Sequence, residues 1–98
     1  MPTFIALIDY TEQGIRNFKD TTKRADAFVE TAKAGGVTVK EVYWTIGAHD
    51  GVLILDAPDE AAVAGVLVAL AARGNVKTHT LRAFTREEID AVIAKVPG

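Results

Sequence analysis

Two short segments of the sequence are apolar at every position, and they restrict the possible folds more than any other feature. These segments are residues 4–8 and 52–55. A strand with one face in water alternates apolar and polar residues, whereas a strand that is buried on both faces is apolar throughout. The pattern therefore predicts two interior strands of a sheet that is covered on both sides.

The flanking segments carry signals for helices and for further strands. Residues 11–20 form a connection with room for one helical turn, and helical spacing of apolar residues follows from residue 21 until the glycines at 35 and 36 end it. Residues 37–46 favour a strand, and the glycine-bounded turn at 47–51 joins it to residues 52–55 as a hairpin. Asp59 is expected to cap a second helix that ends near Arg73. Residues 76–84 alternate as a fourth strand, and Thr85 with Glu88 has capping-box spacing for a last helix to about residue 95.

The order of these elements is β-α-β-β-α-β with a trailing helix. It predicts an α+β, ferredoxin-like fold, in which an antiparallel four-stranded sheet carries helices on one face. The first and third strands are central in this topology, and they are the two strands that are apolar throughout. A chain of 98 residues has room for one core, so a single domain over residues 1–98 is expected.

Two helices can cover only one face of such a sheet, which leaves apolar side chains of the central strands on the other face. Residues 61–72 of the second helix also lack any charge, so that helix is apolar almost all round. Large exposed apolar surfaces mark contact sites, and a homodimer or larger homo-oligomer is therefore expected. In the alternative, the trailing helix folds back over the uncovered face.

Composition excludes several classes of function. The chain has 11 Lys and Arg against 13 Asp and Glu, a net charge of −2, and nucleic-acid binders are normally basic. It has no cysteine, so disulfides and thiolate chemistry are excluded. No apolar stretch approaches the roughly 20 residues of a membrane span, and the first residues lack the basic flank and the small-residue cleavage site that are typical of a signal peptide. We expect a cytoplasmic protein that binds neither nucleic acid nor membrane.

Three separated segments resemble the GYD domain family: residues 11–17 (TEQGIRN), 46–50 (IGAHD) and 74–84 (GNVKTHTLRAF). The similarity extends from about residue 3 to residue 93, with the segments in the family's order. It implies a ferredoxin-like domain of the dimeric α/β-barrel superfamily, in a family of mostly small bacterial proteins without an assigned biochemical role. The family pattern has tyrosine where this chain has His49, which favours a titrating group over a phenol there.

A more distant similarity links residues 47–55 and 76–80 to the effector-binding domain of leucine-responsive-type regulators. That similarity implies a ligand pocket between subunits. Around such a pocket we expect five ligand-binding residues: Tyr10, Arg16, His49, Asp50 and Arg82. The expected ligand is a small acidic or aromatic metabolite. Because the first and last strands are neighbours in this topology, Arg16 and Arg82 can converge on an acidic ligand, which guanidinium groups bind through two parallel hydrogen bonds. In the alternative, both arginines are solvated at the surface or form salt bridges between subunits.

His49 and His79 are the candidates for acid–base catalysis, because imidazole titrates near neutral pH. In the alternative, both histidines are solvated and Asp50 fixes the turn. No metal-binding spacing, phosphate loop or dinucleotide fingerprint occurs, so neither a metal nor a cofactor is expected. Tyr43 and Trp44 must face opposite sides of the sheet, which allows at most one of them to line a given pocket.

Three hypotheses of function follow from these features. The first is a homo-oligomeric protein that binds a metabolite near the subunit interface. The second is a cofactor-free isomerase or monooxygenase with a histidine as general base. The third is a structural or regulatory assembly unit without a ligand. The sequence leaves open whether the protein is an enzyme.

Overall fold

The structure, a computed structural model, describes all 98 residues and places four antiparallel strands in one sheet. Its elements, in chain order, are β1 (Thr3–Tyr10), α1 (Glu12–Arg16), a 3₁₀ turn (Phe18–Asp20), α2 (Thr21–Ala34), β2 (Thr38–Trp44), β3 (Gly51–Asp56), α3 (Glu60–Ala72), β4 (Val76–Ala83) and α4 (Arg86–Ile93). The order of strands across the sheet is β2-β3-β1-β4. This order confirms the predicted ferredoxin-like arrangement with β1 and β3 in the interior.

The core lies between the sheet and helices α2 and α3. Even-numbered residues of β1 and odd-numbered residues of β3 point toward the helices, because side chains alternate between the two faces of a strand. The buried side chains from the strands are Phe4, Ala6, Ile8, Leu53 and Leu55, and those from the helices are Phe28, Ala32, Val63, Val66 and Leu67. With Val37 and Ala57 the core has twelve residues, and the two apolar segments of the sequence supply five of them.

No helix lies on the opposite side of the sheet, which we call the open face. Its large aliphatic residues come from β1, β3 and β4, and they are Ile5, Leu7, Val52, Ile54 and Leu81. Tyr43 of β2 lies on the same face, opposite Val52. The four from the two interior strands are half-buried, and Leu81 is 51% exposed. The folded chain therefore leaves apolar side chains on this face without a helix packed against them, as predicted.

The trailing helix α4 does not fold back over the open face. Its apolar side chains are themselves uncovered, with Ile93 62% exposed and with Ile89 and Val92 also exposed. The alternative in which α4 covers the open face is therefore wrong for the single chain.

Local signals explain where the helices begin. The Asp59 carboxylate accepts a hydrogen bond from the Ala62 amide at 2.8 Å, and Thr85 and Glu88 form the predicted reciprocal capping box at the start of α4. Thr11 likewise caps α1 by accepting from the Gly14 amide. Residues 11–20 therefore contain more regular structure than the single helical turn predicted, because α1 is followed by the 3₁₀ turn.

None of the helices has the length and apolar character that a membrane span requires.

Gly14 marks the closest approach between α1 and the loop before β4. A Cβ atom at this position would lie 2.0 Å from the carbonyl oxygen of Asn75, and that oxygen already accepts a hydrogen bond from the Thr11 amide. Backbone atoms on both sides fix the spacing, so a larger residue cannot be accommodated by moving a side chain.

Gly14→Ala is therefore expected to lower the free energy of unfolding by about 1–3 kcal/mol, the usual cost of overpacking. Gly65→Ala in α3 is the matched control, because a Cβ there meets nothing within 4 Å. Alanine favours a helix over glycine by about 1 kcal/mol, so the control is expected to gain stability. Urea unfolding of both variants measures the difference, and an unchanged midpoint for Gly14→Ala would contradict the close approach.

Candidate functional site

A cavity of about 460 Å³ opens between α2, α3 and one end of the sheet. Its walls are mainly apolar, and they include Ile8, Phe28, Val42, Leu53, Leu70 and Val76. The same space is bordered by the polar ends of Tyr10, Thr21 and Trp44. An apolar cavity of this size with a few convergent polar groups is typical of a small-molecule site.

Three of the bordering side chains form a hydrogen-bonded group, which we call the hydroxyl cluster. The Tyr10 and Thr21 hydroxyl oxygens lie 2.6 Å apart. The indole N–H of Trp44 donates to both oxygens, at 3.1 Å to Tyr10 and 3.0 Å to Thr21. The cluster thus links the end of β1, the start of α2 and the end of β2 at one edge of the cavity.

Two charged side chains at the cavity are engaged with the backbone. The Asp50 carboxylate accepts a hydrogen bond from the Tyr10 amide at 2.8 Å, which joins the β2–β3 turn to the end of β1. The Arg24 guanidinium donates to the carbonyl oxygens of Asn17 and Gly14. These two bonds fix the backbone around the cavity. Three further charged residues, Asp20, Lys23 and Arg73, also line it.

A second group lies on the open face, and we call it the Asp9 cluster. One carboxylate oxygen of Asp9 lies 3.0 Å from Nδ1 of His49, and the other lies 3.0 Å from Nε2 of His79. No three His, Asp or Glu side chains in the structure are arranged to hold a metal ion.

The surroundings of Asp9 lower its pKa. The hydrogen bond from His49 is the largest cause, burial acts in the opposite direction, and the charges of His49 and His79 lower the pKa further. A carboxyl whose pKa is lowered by folding stabilises the folded chain at pH values above its ordinary pKa. This contribution is lost as the pH falls through the lowered value.

The five predicted ligand-binding residues do not form one site. Tyr10 and Asp50 border the cavity, whereas His49 belongs to the Asp9 cluster on the other face of the sheet. The Arg16 side chain pairs with Glu12 on the exposed side of α1, at 3.5 Å.

The predicted convergence of Arg16 and Arg82 is wrong. Strands β1 and β4 are antiparallel, so Arg82 pairs in register with Phe4 at the beginning of β1, while Arg16 follows the end of β1. Arg82 instead donates to the carbonyl oxygen of Thr3 and lies over the Phe84 ring, 4.7 Å from its centroid. The two arginines therefore lie at opposite ends of the neighbouring strands β1 and β4.

Sequence reasoning missed Asp9 and Thr21. The local pattern identifies Asp9 only as the end of a strand, and Thr21 only as the start of a helix. The signal for Asp9 is its odd number in β1, which places it on the same face as the β4 residue His79 once the register is known. The prediction that Tyr43 and Trp44 face opposite sides of the sheet is confirmed, since they pair with Val52 and Gly51 on successive positions of β3. The prediction that at most one of them lines a given pocket is wrong, because both border the cavity.

A pH titration of the Asp9 side-chain carbonyl carbon, followed by NMR, tests the Asp9 cluster. The midpoint in the unaltered chain is expected below the ordinary value of about 3.9. His49→Ala is expected to raise it, and His79→Ala is expected to raise it less, because the hydrogen bond from His49 is the larger cause. Equal midpoints in the unaltered chain and in His49→Ala would contradict the bridging geometry.

Comparisons with known proteins agree with the resemblance found in the sequence. A protein from Thermus thermophilus, named glutamine synthetase and cystathionine beta-lyase binding protein, is 38% identical over 85 residues, which cover 86% of this chain and 90% of the relative. The crystal structure of TTHA0845, also from Thermus thermophilus, is similar with a TM-score of 0.57 and 25% identity, over 87% of this chain and 95% of the other.

A solution structure of the C-terminal domain of the MgtC protein from Mycobacterium tuberculosis shares the fold alone. Its TM-score is 0.55 at 12% identity, over 84% of this chain and 86% of that domain. The model of the GYD domain matches residues 4–93, which contain all of the four strands except Thr3. On these grounds the chain belongs to the GYD domain family.

Proposed function

We propose that the chain, folded as one domain over residues 1–98, is a cytoplasmic homo-oligomer that binds a small aromatic or acidic metabolite. The observation that carries this proposal is the cavity of about 460 Å³ between the helices and the sheet. Its size falls within the range of about 300–1,000 Å³ that is usual for ligand sites. Tyr10 and Asp50, two of the five residues predicted from sequence, border it.

Assembly follows from the open face. Full burial of an aliphatic side chain contributes about 1.5–3 kcal/mol, and association costs about 4–15 kcal/mol. The five apolar side chains of the open face are partly buried already, so their remaining exposed area contributes less than the full value. A second copy of the chain has the same five side chains on its own open face. The two open faces can therefore pack against each other in a symmetric dimer, in which each face buries the other.

The cavity lies close to the open face, which is the proposed subunit contact, where β2 ends and β3 begins. Tyr43 and Val52 border the cavity while belonging to the open side of the sheet. The proposed ligand therefore sits near the proposed subunit contact without lying in it.

The enzymatic alternative has weaker support. His49 and His79 lie on the open face with Asp9, whereas the cavity lies on the helix side of the sheet. A molecule inside the cavity is thus separated from both imidazoles by the sheet. This separation weighs against a histidine general base acting on a ligand that is held there.

Blocking the cavity tests ligand binding. Ala69→Trp places a large ring at a cavity-lining position of α3, and Ala72→Trp places the same ring outside the cavity on the same helix. Thermal unfolding is measured with a panel of aromatic and carboxylic-acid metabolites. A binder at ten times its Kd stabilises by about 1.4 kcal/mol, or about 6–11 °C in Tm for a domain of this size.

The shift is expected in the unaltered chain and in Ala72→Trp, and it is expected to be absent in Ala69→Trp. A panel that leaves the Tm of the unaltered chain unmoved would contradict the proposal and favour an assembly unit without a ligand.

Protein binding is a second candidate function. It is favoured by the name of the relative from Thermus thermophilus, which describes binding to glutamine synthetase and to cystathionine beta-lyase. We extend this to the present chain as a proposal that it binds enzymes of these two kinds. The immobilised chain is expected to bind at least one of them saturably at micromolar concentration in biolayer interferometry. Failure of both purified enzymes to bind would contradict this second function.

A further inference from the structure

We propose that the free edge of β4 binds an extended segment of a partner protein as a fifth strand of the sheet, and that this segment alternates acidic and apolar side chains. The inference rests on the second candidate function, protein binding, and it names the surface and the chemistry of the partner. It derives from the unpaired backbone of β4, from the groove beside that strand and from its charges.

β4 lies at one edge of the sheet and pairs with β1 alone. The Thr11 amide donates to the Asn75 carbonyl, and in an antiparallel pair such bonds recur at every second residue. The register with β1 therefore assigns the bonds of β4 to Lys77, His79 and Leu81. The residues between them direct their N–H and C=O groups outward, and these are Val76, Thr78, Thr80 and Arg82. None of these outward groups is bonded to a side chain or to a loop.

The other edge strand, β2, is less suited to accept a further strand. A bulge between Val39 and Glu41 interrupts its register with β3, and bulges disrupt the row of backbone groups at an edge. The pairing of β4 with β1 continues over all eight residues of β4 without a bulge. A regular row of unpaired backbone groups is a template for an added strand.

A groove of about 410 Å³ lies between α3 and β4. Its α3 side includes Ala64, Val68 and Ala71, which are all exposed, and Val68 is 67% exposed. Glu60 is the only acidic residue that lines the groove, and Arg82 is the only basic one. Because the side chains of a strand alternate between two faces, every second side chain of an added strand enters this groove. Apolar side chains fit there, since they cover the exposed residues of α3.

The charges along β4 select the other side chains of the segment. Residues 61–86 contain four Arg or Lys and no Asp or Glu, in a chain whose net charge is −2. Lys77 and His79 lie on the open face, and Asp9, which is opposite Lys77 in the register, is bonded to His79 and not to Lys77. Acidic side chains opposite these two residues stabilise the added strand, because opposite charges on neighbouring strands attract. A second copy of the chain carries the same positive charges on its own β4, which disfavours pairing of β4 with itself.

Two heptapeptides, each acetylated and amidated at its ends, test the inference. One alternates valine with glutamate, and the other alternates valine with lysine. Their dissociation constants for the isotope-labelled chain are measured by NMR titration, and the glutamate peptide is expected to bind about tenfold more tightly. Amide hydrogen exchange locates the contact. The His79 and Leu81 amides are expected to be protected in the free chain, and the Thr78 and Thr80 amides only with the glutamate peptide.

Thr80→Pro removes one outward N–H, and an edge strand accepts proline where its N–H faces solvent. Thr80→Val keeps the N–H and is the matched control. Thr80→Pro is expected to weaken the glutamate peptide about tenfold, and Thr80→Val less than threefold. A glutamate peptide with N-methyl groups on two adjacent central residues removes donors from the ligand instead. It is expected to bind the unaltered chain at least tenfold more weakly than the unmethylated peptide.

Strand addition is overturned if the methylated and unmethylated peptides bind equally, or if the glutamate peptide does not bind at millimolar concentration. It is also overturned if the Thr78 and Thr80 amides become protected at high protein concentration without peptide, because β4 then pairs with a second copy.

Binding of the two enzymes is measured separately with the same variants. If an enzyme binds the unaltered chain and Thr80→Pro equally, protein binding stands and the edge of β4 is not its surface. If the glutamate peptide behaves as expected and neither enzyme binds, the inference about β4 stands and the second candidate function fails.

Discussion

The structure depends on one constraint: a sheet whose interior strands are apolar on both faces has helices on only one of them. Helices α2 and α3 complete the core on their side, while α4 contributes no residue to the core and leaves its own apolar residues exposed. The open face keeps Ile5, Leu7, Val52 and Ile54 only half-buried. The free energy that remains to be gained by covering this face is the physical basis for the proposed assembly.

The three segments that carry the family resemblance meet at the end of β1. The Thr11 amide and hydroxyl donate to the carbonyl oxygens of Asn75 and Gly74, which joins the first segment to the last. Asp50 of the middle segment accepts from the Tyr10 amide. Gly74 has a positive φ of 84°, which allows the loop to turn toward α1. These backbone contacts fix the position of Tyr10, and through it the edge of the cavity.

Much of the fold was predictable because its signals are local. Alternation, caps and glycine stops determine where strands and helices begin, and the order of elements then restricts the topology. The site was less predictable, since it depends on register and on the ends of strands. Arg16 and Arg82 lie on neighbouring elements but at opposite ends, and Asp9 meets two histidines that are 40 and 70 residues away. The contacts of Asp9 are set by the pairing of β1 with β3, which brings in His49, and with β4, which brings in His79, and no local pattern encodes either pairing.

The central claim is that a second copy of the chain covers the open face. Isotope-filtered NMR on a mixture of methyl-labelled and unlabelled chains measures this contact directly. The account predicts nuclear Overhauser effects between copies at the methyl groups of Ile5, Leu7 and Ile54. A chain that stays monomeric at millimolar concentration, without any such effect at these methyl groups, would contradict it.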